Sequence, residues 1–246
     1  MKDSQLDRYS RHLLLPQFDY DGQASLLNAR VLIIGVGGLG SAAASYLAAS
    51  GVGQLVLSDP DTVEMSNLQR QIIHSENRIG MNKAQSAALR IAEINSDVQV
   101  QAVDYALDET SLSKQIVNAD VVLDCSDNSE TRRTVNRLAW SLATPLVSAA
   151  AIRFEGQLMV VDPRKSDCPC YDCVYPESNN QEATCSESGI LSPVVGMMGV
   201  FQALEAIKLL SAVGESLTHC LTSFDGLTGQ WRSFGVRKSK TCPTCQ

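Results

Sequence analysis

The stretch RVLIIGVGGLGSAAASYLAAS, residues 30–50, decides the fold. Its first part, RVLIIG, is an unbroken apolar run ending in glycine, the pattern of a strand buried in a parallel sheet. Its last part, GLGSAAASYLAAS, is rich in Ala and Leu and predicts a helix. Gly51 and Gly53 punctuate the end of that helix, and QLVLSD, residues 54–59, predicts a second strand, completing a βαβ unit. Between strand and helix stands GVGGLG, with Gly35, Gly37, Gly38 and Gly40. Glycines there permit a tight turn and close backbone approach, and the helix N-terminus attracts anions, so the loop suits a nucleotide phosphate. Asp59 ends the second strand, 19 residues after Gly40, where a carboxylate can accept hydrogen bonds from ribose hydroxyls. Loop and carboxylate alone fit NAD as well as ATP.

The alternation continues outward. NKAQSAALRIAEIN, TSLSKQIVN and SETRRTVNRLAWSLA predict helices; VQVQAV, ADVVLDCSD and PLVSAA predict strands. Such alternation implies an α/β fold with a doubly wound, mostly parallel, Rossmann-like sheet. After residue 150 the pattern changes. GQLMVVD, CLTSFD and QWRSFGV read as strands that extend the sheet in antiparallel fashion, with DGLTG as a hairpin turn and a long helix at about 191–212. The chain reads as one unit over 1–246: N-terminal helices in 1–29, a nucleotide-binding part in 30–150, and the antiparallel strands, long helix and cysteine-bearing tail in 151–246. The polar segment 175–189 reads as a mobile loop.

The 246 residues carry 20 Lys plus Arg against 27 Asp plus Glu, a formal charge of −7. An acidic chain is poorly suited to nucleic acid, whose binding is driven by phosphate neutralisation. The N-terminus MKDSQLDRYSRH lacks the apolar core of a signal peptide. The apolar stretch ILSPVVGMMGVFQALEAIKLLSAVG is interrupted by Glu205 and Lys208 and reads as a buried helix rather than a membrane span. The expected location is the cytoplasm, where paired cysteines point to metal or redox chemistry rather than to disulfides.

ATP is favoured over NAD by DPDTVEMSNLQRQ, residues 59–71. Turning over a triphosphate requires cations against the phosphates and a carboxylate for magnesium. Asn67, Arg70 and Gln71 follow the second strand, Lys83 starts the next helix, and Asp127 and Asn128 follow an apolar strand. In open parallel sheets the carboxyl ends of the strands form the ligand-binding rim, so these groups are expected to converge there.

Together with RYSRHLLL, LDCSDN, GQLMV, GVFQALEAIKLL and two CxxC pairs, this constellation resembles the ubiquitin-activating E1-like adenylyltransferases in their small bacterial form, the HesA/MoeB/ThiF family. The matching stretches extend over nearly the whole chain. The resemblance implies that the C-terminal Gly-Gly carboxylate of a ubiquitin-like sulfur carrier, MoaD-like or ThiS-like, attacks the α-phosphate of ATP to give an acyl-adenylate and pyrophosphate. By motif position Asp59 would hold the ribose. Asn67, Arg70 and Lys83 would bind the phosphates, Asp127 would ligate Mg²⁺, and Asp61, Ser66, Gln69 and Asn128 would complete the nucleotide site. Arg11 would be supplied across a homodimer interface. A sulfur donor such as a cysteine desulfurase would be a further partner. IRFEGQ and HSENRIGMNK look more like the molybdopterin branch, YPESN and FDGLTGQWRS more like the thiamine branch, and the choice of carrier stays open. No general base is needed, since the attacking carboxylate is already ionised, and His12, His74 and His219 show no ligand or triad spacing. Arg132 and Arg133 read as solvated helix charges.

Of eight cysteines, CYDC (Cys170, Cys173) and CPTC (Cys242, Cys245) form two CxxC pairs with 68 intervening residues. Four thiolates suit a tetrahedral structural Zn²⁺ that staples the tail to a distant loop. Cys168, in CxC spacing with Cys170, offers a second register. Cys125 and Cys220 read as core residues. Cys185, in the polar loop, matches a family cysteine with a role in sulfur transfer in some members; its covalent role is left open. Two other classes remain open on sequence alone: an E1-like enzyme adenylating a tRNA base, and an NAD-dependent dehydrogenase.

Overall fold

The computed structural model describes residues 1–176 and 188–246. Three short helices, α1 (Asp3–Arg8), α2 (Ser10–Leu13) and α3 (Asp19–Asn28), precede strand β1 (Arg30–Ile34). There follow α4 (Gly38–Ala49), β2 (Gln54–Ser58), α5 (Lys83–Ile94), β3 (Gln99–Val103), α6 (Glu109–Val117), β4 (Val121–Asp124), α7 (Ser129–Ser141) and β5 (Leu146–Ile152). Then come β6 (Glu155–Val161), the short α8 (Tyr171–Val174), α9 (Ser192–Ser211), β7 (Cys220–Asp225) and β8 (Gln230–Gly235).

Among the described residues the strands form one eight-stranded sheet, ordered β3-β2-β1-β4-β5-β6-β7-β8. Strands β1 to β5 pair in parallel. Strands β6, β7 and β8 add to β5 in antiparallel fashion; short reversals join β5 to β6 and β7 to β8, while α8 and α9 lie between β6 and β7. The chain order reverses between β1 and β4, which opens a crevice at the carboxyl ends of those strands. Alternate residues of the buried strands feed two apolar layers, one on each face of the sheet. Val31, Ile33, Leu55 and Leu57 face α4 and α9. Leu32, Val56, Val122 and Leu146 face α6 and α7.

By length and composition α9 could cross a membrane. Here it packs against α4, β5 and β6. Its polar groups are satisfied inside the fold. Gln202, fully buried, donates to the Asp124 oxygen at 2.8 Å and the Val147 oxygen at 3.1 Å, tying the helix across β4 and β5. Buried Glu205 pairs with Lys208 at 2.6 Å and accepts the Leu217 amide.

One boundary next to the crevice differs from the sequence reading. Strand β4 ends at Asp124 rather than running to Asp127. The Asp124 carboxylate accepts the Ser126 amide and hydroxyl, which turns the chain out of the sheet. Cys125 therefore lies just beyond the strand, although it is buried. Most of the loop expected at 175–189 falls outside the described residues.

Candidate active site and cysteine cluster

At the crevice a cavity of about 370 Å³ is lined from the ends of β1 and β2, from β5, and from the loops that follow β1, β2 and β4. Its floor is the glycine loop. Gly35 has φ +88°, and a Cβ on Gly40 would lie 2.0 Å from the Gly35 oxygen, so the loop closes on α4 only with glycine at both positions. The first turn of α4 then aims its free amides at the cavity, a setting that favours anions.

The loop is braced from two sides. Asp59 Oδ2 accepts the Val36 amide at 2.8 Å, and Oδ1 accepts the Asp61 amide at 3.0 Å. On the other side His74 Nε2 lies 3.1 Å from the Val36 oxygen and Nδ1 lies 2.9 Å from Ser86 Oγ. Burial lowers the His74 pKa to about 4. The ring is therefore neutral at pH 7, donating from Nε2 and accepting at Nδ1. Burial also raises the Asp59 pKa, against the lowering effect of Lys83 and of the two amides.

Lys83, buried, lines the cavity and pairs with Asp61 at 2.8 Å. Arg70 lines it too and donates to the Ser66 oxygen at 3.1 Å. Gln71 adds a buried amide oxygen with no partner. Asp127 and Asn128 form the opposite wall, Asp127 being exposed. Asn128 caps α7 by accepting the Thr131 amide at 2.9 Å.

Of the residues named from sequence, the structure gathers Gly35, Gly37, Gly38, Asp59, Asp61, Arg70, Lys83, Asp127 and Asn128 around this cavity. Gly40, Ser66, Asn67 and Gln69 are not on its wall. Asn67 is buried and accepts the Glu64 amide at 3.1 Å, so it shapes the loop that presents Arg70. Ser66 is exposed and donates to Glu64. Arg11 is exposed on α2, away from the cavity. Cys185 lies outside the described residues.

Sequence reasoning missed three groups. His74 carries no motif signal, because its partners Val36 and Ser86 are distant in the chain. Arg132 is not a solvated helix charge: its side chain is 11% exposed, lines the cavity, and donates to the Ser126 oxygen at 2.7 Å. Arg133, read the same way, instead pairs with Asp172 at 2.7 Å. The i, i+1 placement of these two arginines near a helix start was the only available signal, and it does not reveal a partner.

A second cavity of about 260 Å³ adjoins the first. The two share Asp127, Arg132 and Ala151. Gly156, Tyr171 and Tyr175 line the second one.

The cysteine pairs come together. The sulfurs of Cys170, Cys173, Cys242 and Cys245 all lie within 4.8 Å of one another. Cys170 and Cys242 approach to 3.5 Å, and Cys173 and Cys245 to 3.4 Å. A tetrahedral ion with metal–sulfur bonds of about 2.3 Å separates its ligands by about 3.8 Å, so the set fits zinc. Burial pushes Cys170 up and Cys245 up to about 12. A dication would offset the repulsion among four thiolates held this close. The Ser239 amide already points at Cys173 Sγ, at 3.3 Å. Cys168 is buried apart from the cluster and accepts the Asp162 amide at 3.3 Å.

The model of the ThiF family matches residues 9–244. Over 245 residues the chain is 46% identical to the Escherichia coli sulfur carrier protein ThiS adenylyltransferase, covering 100% of this chain and 97% of that protein. It is 40% identical to the Salmonella typhimurium molybdopterin-synthase adenylyltransferase, covering 100% and 98%. Among solved structures, E. coli MccB with ATP superposes with a TM-score of 0.86 at 25% identity, over 97% of this chain and 73% of that one.

Proposed function

The chain belongs to the ThiF family, and on that premise we propose that it is an ATP-dependent, E1-like adenylyltransferase. It activates the C-terminal glycine carboxylate of a ubiquitin-like sulfur-carrier protein, of ThiS or MoaD type, for sulfur transfer in thiamine or molybdenum cofactor biosynthesis. The observation that carries this reading is the adjoining pair of cavities, which share Asp127 and Arg132. One is nucleotide-sized and floored by the glycine loop; the other gives an extended Gly-Gly tail a route to the α-phosphate.

The chain's own groups account for the chemistry. Asp59 accepts hydrogen bonds from the ribose, and the amides of Gly37 and Gly38 face the phosphates. Arg70 and Lys83 offset the repulsion between the incoming carboxylate and the triphosphate, and do so most where charge builds during transfer. A carboxylate oxygen attacks the α-phosphorus, the bond to the β-bridging oxygen breaks, and pyrophosphate leaves with the electron pair. No proton moves. Asp127 would hold Mg²⁺, which supplies charge neutralisation to the phosphates. Lys83 leaves Asp61 for a phosphate at little cost, because the Asp61 side chain is 67% exposed and water replaces the lysine.

The same proposal assigns Arg11 to the partner's site in a homodimer, since it does not reach its own cavity. Zn²⁺ at Cys170, Cys173, Cys242 and Cys245 has a structural role, with no coordination position left for water. A cytoplasmic location and a sulfur donor of the cysteine desulfurase class complete it. Pyrophosphate–ATP exchange tests the reading: exchange that depends on a Gly-Gly carrier supports it. Absence of exchange with both carrier types overturns it.

A further inference from the structure

Asp172 lies between the two cysteines of the first pair, and three groups converge on its carboxylate. Arg133 Nη1 donates to Oδ1 at 2.7 Å. Asn136 Nδ2 donates to Oδ2 at 3.1 Å. Thr244 Oγ1, between the two cysteines of the second pair, donates to Oδ2 at 2.6 Å. Asn136 in turn accepts the Tyr171 amide at 3.0 Å. The side chains of Arg133 and Asp172 are only 18% and 9% exposed. Both cysteine turns are thus fastened to one helix, α7, through one carboxylate.

The N-terminal end of that helix, where Arg133 also sits, is at the nucleotide cavity. Its cap, Asn128, and Thr131 and Arg132 of its first turn line the wall. Arg132 holds the Ser126 oxygen in the loop that carries Asp127. Arg132 and Arg133 are adjacent, so the helix turn that grips the Asp127 loop also grips the cysteine turns. A helix transmits displacement as a rigid rod, whereas a loop would absorb it.

We propose that Asp172 is a positioning residue that couples the four-thiolate metal site to nucleotide binding. With the metal in place, the two cysteine turns are held together, and Asp172 reaches Arg133, Asn136 and Thr244 at once. That fixes α7 and with it the wall bearing Asp127 and Asn128. When the metal leaves, Thr244 is free to part from Asp172, and the largely buried Arg133 loses part of its counter-charge geometry. The Asp127 wall then loses its support. Coupling between two binding events is reciprocal, so nucleotide must tighten metal binding by the factor by which metal tightens nucleotide binding. This inference rests on the reading of the cavity as an ATP site.

The test uses the full zinc-loaded chain with magnesium and α,β-methylene-ATP. Zinc affinity is measured by competition with a chromophoric chelator, with and without nucleotide, for wild type, Asp172→Asn and Thr244→Val. Nucleotide binding is followed separately by fluorescence titration. Nucleotide is expected to tighten zinc about fivefold or more in the wild type. In both variants that factor falls to near one, whatever their absolute zinc affinity or melting temperature. Nucleotide binding with unchanged zinc affinity in the wild type overturns the coupling alone. An equal factor in wild type and Asp172→Asn removes Asp172 from it. Failure of the wild type to bind nucleotide overturns the ATP reading and the coupling together.

Discussion

His74 donates from Nε2 to the main-chain oxygen of Val36 at 3.1 Å, while Asp59 takes the amide of the same residue at 2.8 Å. Both polar groups of one peptide position in the glycine loop are therefore held by side chains from elsewhere in the chain. The loop owes its shape to these braces as much as to its glycines.

The histidine brace has a pH signature. Burial lowers the His74 pKa from 6.5 to about 4 in the folded state. The unfolded chain takes up the proton first as pH falls, so the contribution is fully present above pH 6.5 and is lost as pH drops through about 4. That change amounts to about 3 kcal/mol. Urea unfolding of wild type and His74→Gln from pH 7.5 to 4 should show the wild type losing its excess stability across this window. A constant difference between the two would show that His74 does not titrate in this way.

Lys83→Ala should lower carrier-dependent pyrophosphate exchange by about 10²–10³-fold, the usual cost of removing one preorganised charge from a developing anion. Its ion pair with Asp61 contributes little to folding, because Asp61 is largely exposed. The thermal midpoint should thus move far less than the rate, and a rate within a few-fold of wild type would contradict the phosphate role.

Asp127→Ala should abolish exchange while leaving the circular dichroism spectrum and melting temperature near those of the wild type, since Asp127 is exposed on the cavity wall. Near-normal turnover at saturating magnesium would rule out its part in holding the ion.

Cys170→Ala should release the bound zinc, taking metal content from one equivalent to none by elemental analysis. It should lower the melting temperature by about 5–10 °C, the equivalent of about 3 kcal/mol in a chain of this size. Cys168→Ala should keep its zinc, because its sulfur stands outside the cluster. The reverse pattern would place the metal on the CxC register.

Gly40→Ala should destabilise the fold by about 2–3 kcal/mol, as the new methyl would meet the Gly35 oxygen at 2.0 Å. Nucleotide affinity should fall with it, because relief of the clash moves the phosphate loop away from α4. A variant with wild-type stability and affinity would show that the loop can relax freely.

Short-range pattern made most of the fold legible. The run VLIIG, the GVGGLG loop and the Ala-rich helix each depend on neighbours within a few residues, so their structure follows from local sterics and periodicity. The parallel order of the first five strands follows from strand–helix alternation. The CxxC pairs were legible for a similar reason, because each pair is a local turn with a fixed sulfur spacing. Arg70, Lys83 and Asp127 could be placed on one rim because strand carboxyl ends share an edge.

What the sequence alone determined is therefore the βαβ core, the glycine loop, the charge types brought to the rim and the four thiols that cluster. Tertiary structure alone decided which of those groups meet. It turned Arg132 and Arg133 from presumed surface charges into partners of the Asp127 loop and of Asp172. It made His74 a brace for Val36, and left Asn67 inside the loop instead of on the cavity wall. The contacts of Arg132, Arg133 and His74 span 6 to 39 positions. Such contacts form only when the packed sheet fixes the angle of each helix, and no local preference of the chain encodes that angle.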